Sequence, residues 1–292
     1  NSRIALGSPS MFVLDGSDTT IISTASPVFS VGIANRIVIE GVRLASTDES
    51  VPVLTITGNA MLSLMNASIE RAQISVDTGD IEIARTTLND SVLHLRSATA
   101  VVSRSKLDRS YIDSGTSNLR VSSTRFETNR DAITFGGSGV FMLENNVFVQ
   151  SNEQASLVTL YAGASTLRYN TFVSTSVLSS TGSAVNCFTL PSGVDITSNI
   201  VAYNGASPLE ACNARNNLFD LAGAQETASG ANNLAADATL FFKDFVGGDY
   251  HLAASSPALG LGEAGLVTTD FDGNVRPAPL GSAPDVGAYE AP

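Results

Sequence analysis

Hydrophobic residues alternate in short runs along this chain, and the runs repeat. Ile69, Leu88, Leu107 and Phe126 follow one another at steps of 19 residues. Five residues before each stand Leu64, Ile83, Val102 and Val121, and seven before stand Leu62, Ile81, Ala100 and Leu119. A spacing of two, as in Ile81 and Ile83 or Phe141 and Leu143, is the period of a strand; a helix requires three or four. Fourteen residues before Leu88, Leu107 and Phe126 stand Ile74, Leu93 and Ile112, a second run in each unit. The register continues with insertions through Leu44, Phe148, Phe172, Val201 and Phe219, so that the steps from Leu44 onward are 25, 19, 19, 19, 22, 24, 29 and 18. Polar Glu82, Arg120 and Glu144 face the other way. Thr78-Gly79-Asp80 and Gly115-Thr116-Ser117-Asn118 supply turns.

Short strands at a period near 20 predict an all-β parallel β-helix, a single-stranded solenoid with one unit per coil. Its columns become stacks, because one coil alone cannot bury its inner face. A leucine-rich solenoid shares the period, but its LxxLxLxxN pattern is missing. A β-sandwich gives no reason for three equal steps with matched columns. One column is polar. Asn146, Asn170, Asn199 and Asn217 stand two before the reference hydrophobe and continue the positions of Thr86, Ser105 and Thr124. Between core positions they are expected to form an asparagine ladder, each amide satisfying its neighbour, rather than a binding groove.

The organisation expected is a single domain over 1–292. Residues 31–220 form regular coils. Residues 1–30 form an N-terminal cap or first coil, using Ile21, Ile22, Val28 and Phe29. Residues 221–292 form an irregular cap and tail, with Phe241, Phe242, Phe245 and Tyr250 covering the last coil. The longer steps after Phe126 predict protruding loops around 131–139, 150–165 and 175–192, natural places for recognition.

Composition narrows the function. With 43% apolar and 15% charged residues the chain is not disordered. No 18-residue apolar run is present, so no membrane span is expected. Asp and Glu number 28 against 16 Lys and Arg, a net charge of −12, which excludes a general nucleic-acid binder. Asn1 opens the chain without Met or a leader pattern, which reads as processing or trimming of whatever came first. Cys187 and Cys212 admit either one disulfide or two buried thiols. Two cysteines and two histidines do not make a metal cluster.

The tail carries a resemblance. Ser256-Pro257-Ala258, then Asp270 or Asp272 with Gly273 and Arg276, then Asp285-Val286-Gly287-Ala288-Tyr289 are similar to the C-terminal part of secreted bacterial right-handed β-helix proteins with a choice-of-anchor tail. The coils resemble the wider pectate-lyase-like superfamily in general pattern. The resemblance implies a right-handed β-helix and a protein that is secreted, periplasmic or on the cell surface. It implies no reaction, since one fold hosts many functions. Within the tail, Asp272 and Arg276 are expected to pair across a turn, Asp285 to cap a backbone turn, and Gly273 and Gly287 to take positive φ. No cofactor is called for. Asp270-Phe271-Asp272-Gly273 faintly resembles a calcium loop but lacks the Glu that closes an EF-hand, which leaves calcium as the one ion to consider.

Enzymes on this fold that cut acidic polysaccharides need a group to offset the uronate carboxylate, a base for the C5 proton and a donor for the leaving oxygen; hydrolases need paired carboxylates. The lyase and polygalacturonase signatures of the fold are missing. The best charge constellation lies on successive coils. Arg85, Arg104, Arg109 and Arg130 are candidates to grip an anionic glycan, and Asp108, Glu127, Asp131 and His94 to supply acid–base chemistry. The plainer alternative is a solvated face of alternating charges. The expectation is an extracellular module, adhesive or carbohydrate-contacting, with polysaccharide or another surface protein as partner. The alternative is a lyase or glycoside hydrolase acting on an acidic polysaccharide.

Overall fold

Each repeating unit folds as one coil with three short strands, and successive coils pair in parallel. The computed structural model describes residues 4–5, 11–16, 19–23, 27–32, 35–47, 52–151, 156–161, 164–175, 182–188, 193–203, 209–221 and 230–292. The chain forms a nearly all-β, right-handed parallel solenoid. We call its three faces sheets A, B and C, in the order the chain visits them from Ile81 onward. In the coil that starts there, Ile81 and Ile83 lie in sheet A, Leu88 in sheet B, and Leu93 and Leu95 in sheet C. Sheets C and A are continuous where Gln73–Ala84 and Val92–Ser103 run from one to the next as single strands.

Residues 19 apart are vertical neighbours, as the repeat requires. Ile69 pairs with Leu88, Leu88 with Leu107, and Leu107 with Phe126. The column continues through Phe148, Phe172, Val201 and Phe219. All of these side chains are buried. Phe126, Phe148 and Phe172 stack with centroids 4.5 and 4.9 Å apart, close to the spacing between parallel strands. Sheet A stacks Ile37, Leu62, Ile81, Ala100, Leu119 and Phe141 in the same way.

The corner from sheet A to sheet B turns through one left-handed residue per coil. These are Gly41, Asn66, Arg85, Arg104, Ser123, Asn145, Tyr169, Ser198, Asn216 and Asn232. The next residue points inward and supports the coil before it. Thr86 Oγ1 accepts from the Ala67 N–H, Ser105 Oγ from Thr86, Thr124 Oγ1 from Ser105, and Asn146 Oδ1 from Thr124. Asn170, Asn199 and Asn217 continue the series, and Asn233 adds a further rung. Each asparagine amide also donates back to a sheet A carbonyl, as Asn170 Nδ2 does to Leu143 O at 3.0 Å. The column is therefore a ladder inside the wall, its polar groups buried and satisfied.

Of the two forms expected for the first residues, the described ones from Met11 to Val31 take coil. Met11–Asp15 pairs with Arg36–Glu40, and Thr20–Ser23 with Arg43–Ser46. Phe29 is buried, Ile21 and Val28 pack on the core, and Ile22 is exposed. The stretch 131–139, expected as a protruding loop, contains the sheet C strand Ile133–Phe135. The later long steps likewise contain sheet C strands, Val158–Leu160 and Val185–Cys187. Most of their added length lies between the sheet B and sheet C strands, where 152–155 and 176–181 are outside the described residues. Cys187 and Cys212 form a disulfide.

The tail takes a different place from the one expected. It folds back along the outer face of sheet B instead of closing the last coil. Leu234–Ala236 first adds a rung beside Leu218–Asp220. Phe241, Phe242, Tyr250, Leu252, Ala258, Val286, Ala288 and Tyr289 then pack against the outward side chains Val147, Val173, Ile200, Ala202 and Leu218 in a second core. On earlier coils the same outward positions are polar: Thr87, Asn89, Lys106, Asp108, Arg125 and Glu127. The change from polar to apolar marks where the tail docks, since an apolar sheet face must be covered.

Candidate functional site

The corner from sheet B to sheet C has its own left-handed column: Arg71, Asp90 and Arg109, each with φ of 47°. Behind it Ser91 and Ser110 point inward, and their hydroxyls accept the N–H groups of Ala72 and Ser91. This construction throws the side chains at 90 and 109 outward, one above the other. Arg109 Nε and Nη2 grip the two Asp90 oxygens at 2.7 and 2.9 Å, and Nη1 reaches Asp108 at 3.2 Å. The hydrogen bond from Arg109 holds the Asp90 carboxyl below its usual range, and the same bond raises the arginine.

One coil later the corner is longer. Thr128 Oγ1 accepts from the Arg130 N–H and donates to the Arg130 carbonyl, closing a local turn. The turn sends the Arg130 guanidinium back over the ring of Tyr111, 4.0 Å from its centre. Tyr111 also meets His94 edge-on at 6.2 Å, and His94 Nδ1 lies 3.1 Å from Asp113 Oδ2. His94 and Asp113 are register partners on adjacent coils of sheet C. A shallow, solvent-open depression of about 350 Å³ lies among Asp90, His94, Arg109, Tyr111 and Arg130.

The sequence candidates thus fall in three places. Arg109, Arg130 and His94 come together in this depression, with Asp108 touching it through Arg109. Asp131 is next to Arg130; burial pushes its carboxyl up from the usual value. Glu127 lies on the outer face of sheet B, and Lys106 and Arg125 each reach it at 2.7 Å. Burial would raise its pKa, but these two cations hold it below the ordinary range. Arg85 and Arg104 occupy the opposite edge of sheet B, at the corner with sheet A; Arg85 Nε donates to Asn66 Oδ1 at 3.0 Å. Tyr111 and Asp113 were not among the candidates. Their signal was position: both flank the inward Ile112 and so must face solvent on sheet C.

The tail residues are structural. Arg276 does not pair with Asp272. It is buried and donates to the carbonyls of Asp285, Gly287 and Ala288, with Glu290 at 3.4 Å. A buried guanidinium requires several acceptors, and the turn 285–288 wraps around it to provide them. Asp272 instead receives His251 Nε2 at 2.8 Å. Asp285 caps two backbone N–H groups, those of Gly260 and Ala291. Gly273 and Gly287 have φ of 89° and 90°. Asp270 accepts from the Asn274 and Glu290 N–H groups. Among the described residues, no cluster of three or more His, Cys, Asp and Glu side chains is placed to hold a metal ion. No described helix is long and apolar enough to cross a membrane.

Compared with known proteins, the chain matches no family profile and no curated protein.

Proposed function

We propose that the chain is an extracellular recognition module that binds an acidic polysaccharide at the depression between sheets B and C. The observation that carries this reading is the Arg130 guanidinium held over the ring of Tyr111, beside His94 and Arg109. A guanidinium stacked on a ring keeps its edge free for a carboxylate, and its planar fork suits that group. Among the described residues no ion pair falls to Arg130, whereas Arg109 is already gripped by Asp90. Arg130 is therefore the arginine with donors to offer. An open, shallow surface suits a long polymer better than a small molecule, which wants an enclosed pocket. The disulfide supports a protein that lives in an oxidising compartment, and so outside the cytosol.

The test is binding to polygalacturonate and alginate across a salt series. Wild-type protein binds, and more weakly as salt rises, because the contact is between exposed charges. Arg130→Gln weakens binding about tenfold or more, the usual value of a hydrogen bond to a charged group. No binding to either polymer at low salt overturns the reading.

A second reading has its own support, the His94–Asp113 pair beside Tyr111. In an elimination, His94 would take the C5 proton of a uronate held by Arg130. The C–H electrons would form the C4–C5 double bond, and the C4–O bond would break with a proton from Tyr111. Incubation of the protein with either polymer separates the two readings. Growth of the ultraviolet absorbance of an unsaturated uronate, lost in His94→Ala, establishes the enzyme; binding without it establishes the module.

A further inference from the structure

Two solvent-exposed aromatic side chains lie on the same face, two and three coils beyond Tyr111. Tyr161 is 42% exposed and Phe188 62% exposed. Their rings are 5.1 Å apart and tilted by 49°. Both follow directly on sheet C strands whose last residues, Leu160 and Cys187, are register partners. They therefore hold the same position on consecutive coils.

The backbone beneath them is fixed. The Tyr161 N–H donates to Phe135 O, and the Phe188 N–H to Leu160 O, each at 2.9 Å. Cys187, next to Phe188, is tied to Cys212. On the two preceding coils the same position is Gly136 and Gly115, each continuing the sheet by one bond, to Ser114 O and Leu95 O. Along the solenoid axis the column thus reads Gly115, Gly136, Tyr161, Phe188. A bare backbone strip leads up to an aromatic wall.

The register places this wall relative to the arginine. Tyr161 lies two coils above Tyr111 and four residues further along the strand direction. With about 4.8 Å per coil and about 3.3 Å per residue, the two positions are about 16 Å apart on a diagonal across sheet C. The path crosses Asp113 and Thr134, polar residues that face outward, so the face between the two ends is not an apolar protein-docking patch.

We propose that Tyr161 and Phe188 form a second subsite for the same acidic glycan, stacking on the apolar face of a sugar ring while Arg130 holds a carboxylate at the other end of the chain. This inference rests on the reading given under Proposed function and adds the direction and minimum length of the ligand. A pyranose presents C–H groups on its faces and hydroxyls at its rim. A tilted pair of exposed rings complements the former and leaves the latter in water.

The experiment is calorimetric titration with oligogalacturonates of increasing length, for wild type, Phe188→Ala, Phe188→Leu, Tyr161→Ala and Arg130→Gln. Near-identical melting curves control for folding. In wild type, affinity rises about tenfold once the oligomer can span the diagonal. Phe188→Ala and Tyr161→Ala lose that rise and keep the affinity for short oligomers. Phe188→Leu, apolar but without a ring, loses it as well. Arg130→Gln weakens short and long oligomers alike. Wild-type affinity that does not change with length, or a Phe188→Ala curve that follows wild type, overturns the subsite and leaves the arginine site standing. Absence of wild-type binding at every length overturns both.

Discussion

The guanidinium of Arg276 lies over the ring of Tyr169, 4.2 Å from its centre. This contact joins the tail to the wall of the solenoid. Tyr169 is a left-handed corner residue, and its hydroxyl donates to the Glu263 carbonyl of the tail. Arg276 in turn organises the turn 285–288 and faces Glu290, both side chains being fully buried. Burial pulls the arginine down from its usual pKa and pushes Glu290 up. Removing one partner leaves the other charge buried and unpaired. Arg276→Met should cost about 3–5 kcal/mol. Arg276→Met with Glu290→Gln should recover part of that loss, because the carboxylate facing the arginine is removed with it while Asp270 and Asp285 stay buried nearby. Urea denaturation of both variants checks the order. A double variant no more stable than the single one refutes the account.

The asparagine ladder sets a second expectation. Asn170 Oδ1 accepts from both the backbone N–H and the side-chain amide of Asn146, and Asn170 Nδ2 donates to Leu143 O. Asn170→Ala strands a buried donor and a buried acceptor, at a cost of about 3 kcal/mol. Asn170→Thr should cost less. Thr86 and Thr124 already fill this column on earlier coils and accept the same N–H bond. Equal losses for the two variants, measured by thermal and urea unfolding, would show that the hydrogen bond is not what the column supplies.

The coils were legible in the sequence because their core is a set of columns. Ile69, Leu88, Leu107 and Phe126 recur at a fixed step, and a buried stack permits little else. The ladder was legible for the same reason, up to Asn217; Asn233 follows a stretch without repeat, and its rung was not read. The tail's position was not anticipated, although its signal was present. Val147, Ile200 and Leu218 break an outward column that is polar at Thr87, Lys106 and Arg125, and Val149, Val173 and Ala202 break the next one, polar at Asn89, Asp108 and Glu127. The site was half legible. Column arithmetic brought Arg109, Arg130 and His94 to notice, but grouped with them Arg85 and Arg104. These lie at the other edge of sheet B: they stand three before the inward residue, whereas Asp90 and Arg109 stand two after it. The Arg130 turn over Tyr111 depends on an insertion at Thr128–Arg130, which no repeat specifies.

His251 makes the tail sensitive to pH. Its Nδ1 faces Asp249 and its Nε2 faces Asp272, and its ring lies 4.2 Å from that of Tyr289. Burial alone would lower its pKa. The hydrogen bonds to the two carboxylates outweigh burial and raise it above the ordinary value near 6.5. A group whose folded pKa is raised stabilises fully below its unfolded pKa, and the contribution fades as pH climbs through the folded value. Asp249 is depressed, chiefly by its bond to His251, so its own contribution is lost only as pH falls through that lower value. The hairpin of Phe242–Asp244 and Asp249–Leu252 should therefore be held most firmly in mildly acidic solution and loosen toward alkaline pH. Amide hydrogen exchange of residues 242–252, corrected for the intrinsic pH dependence of exchange, reads this directly. His251→Gln should flatten the profile between mildly acidic and mildly alkaline pH; a profile as steep as wild type would assign the effect to another group.

The disulfide has a measurable consequence for both stability and binding. Cys187 ends a sheet C strand, and Cys212 lies 25 residues later in the chain. Closing a loop of that length restricts the unfolded chain and is worth about 3 kcal/mol on the chain-entropy account. The strands beside the two cysteines, Val185–Cys187 and Leu209–Glu210, pair in register, so the cross-link reinforces a joint between adjacent coils. Cys187→Ser with Cys212→Ser should lower the urea midpoint by a corresponding amount, and reduction of wild-type protein should do the same. The loss should also be local in its effect on recognition. Phe188 is covalently next to the bridge, whereas Arg130 belongs to an earlier coil. The double serine variant should thus bind short acidic oligomers like wild type and show a smaller gain with length. If short-oligomer affinity falls as well while the coils remain folded, the bridge and the arginine site are coupled, and the separation of the two ends of sheet C is wrong.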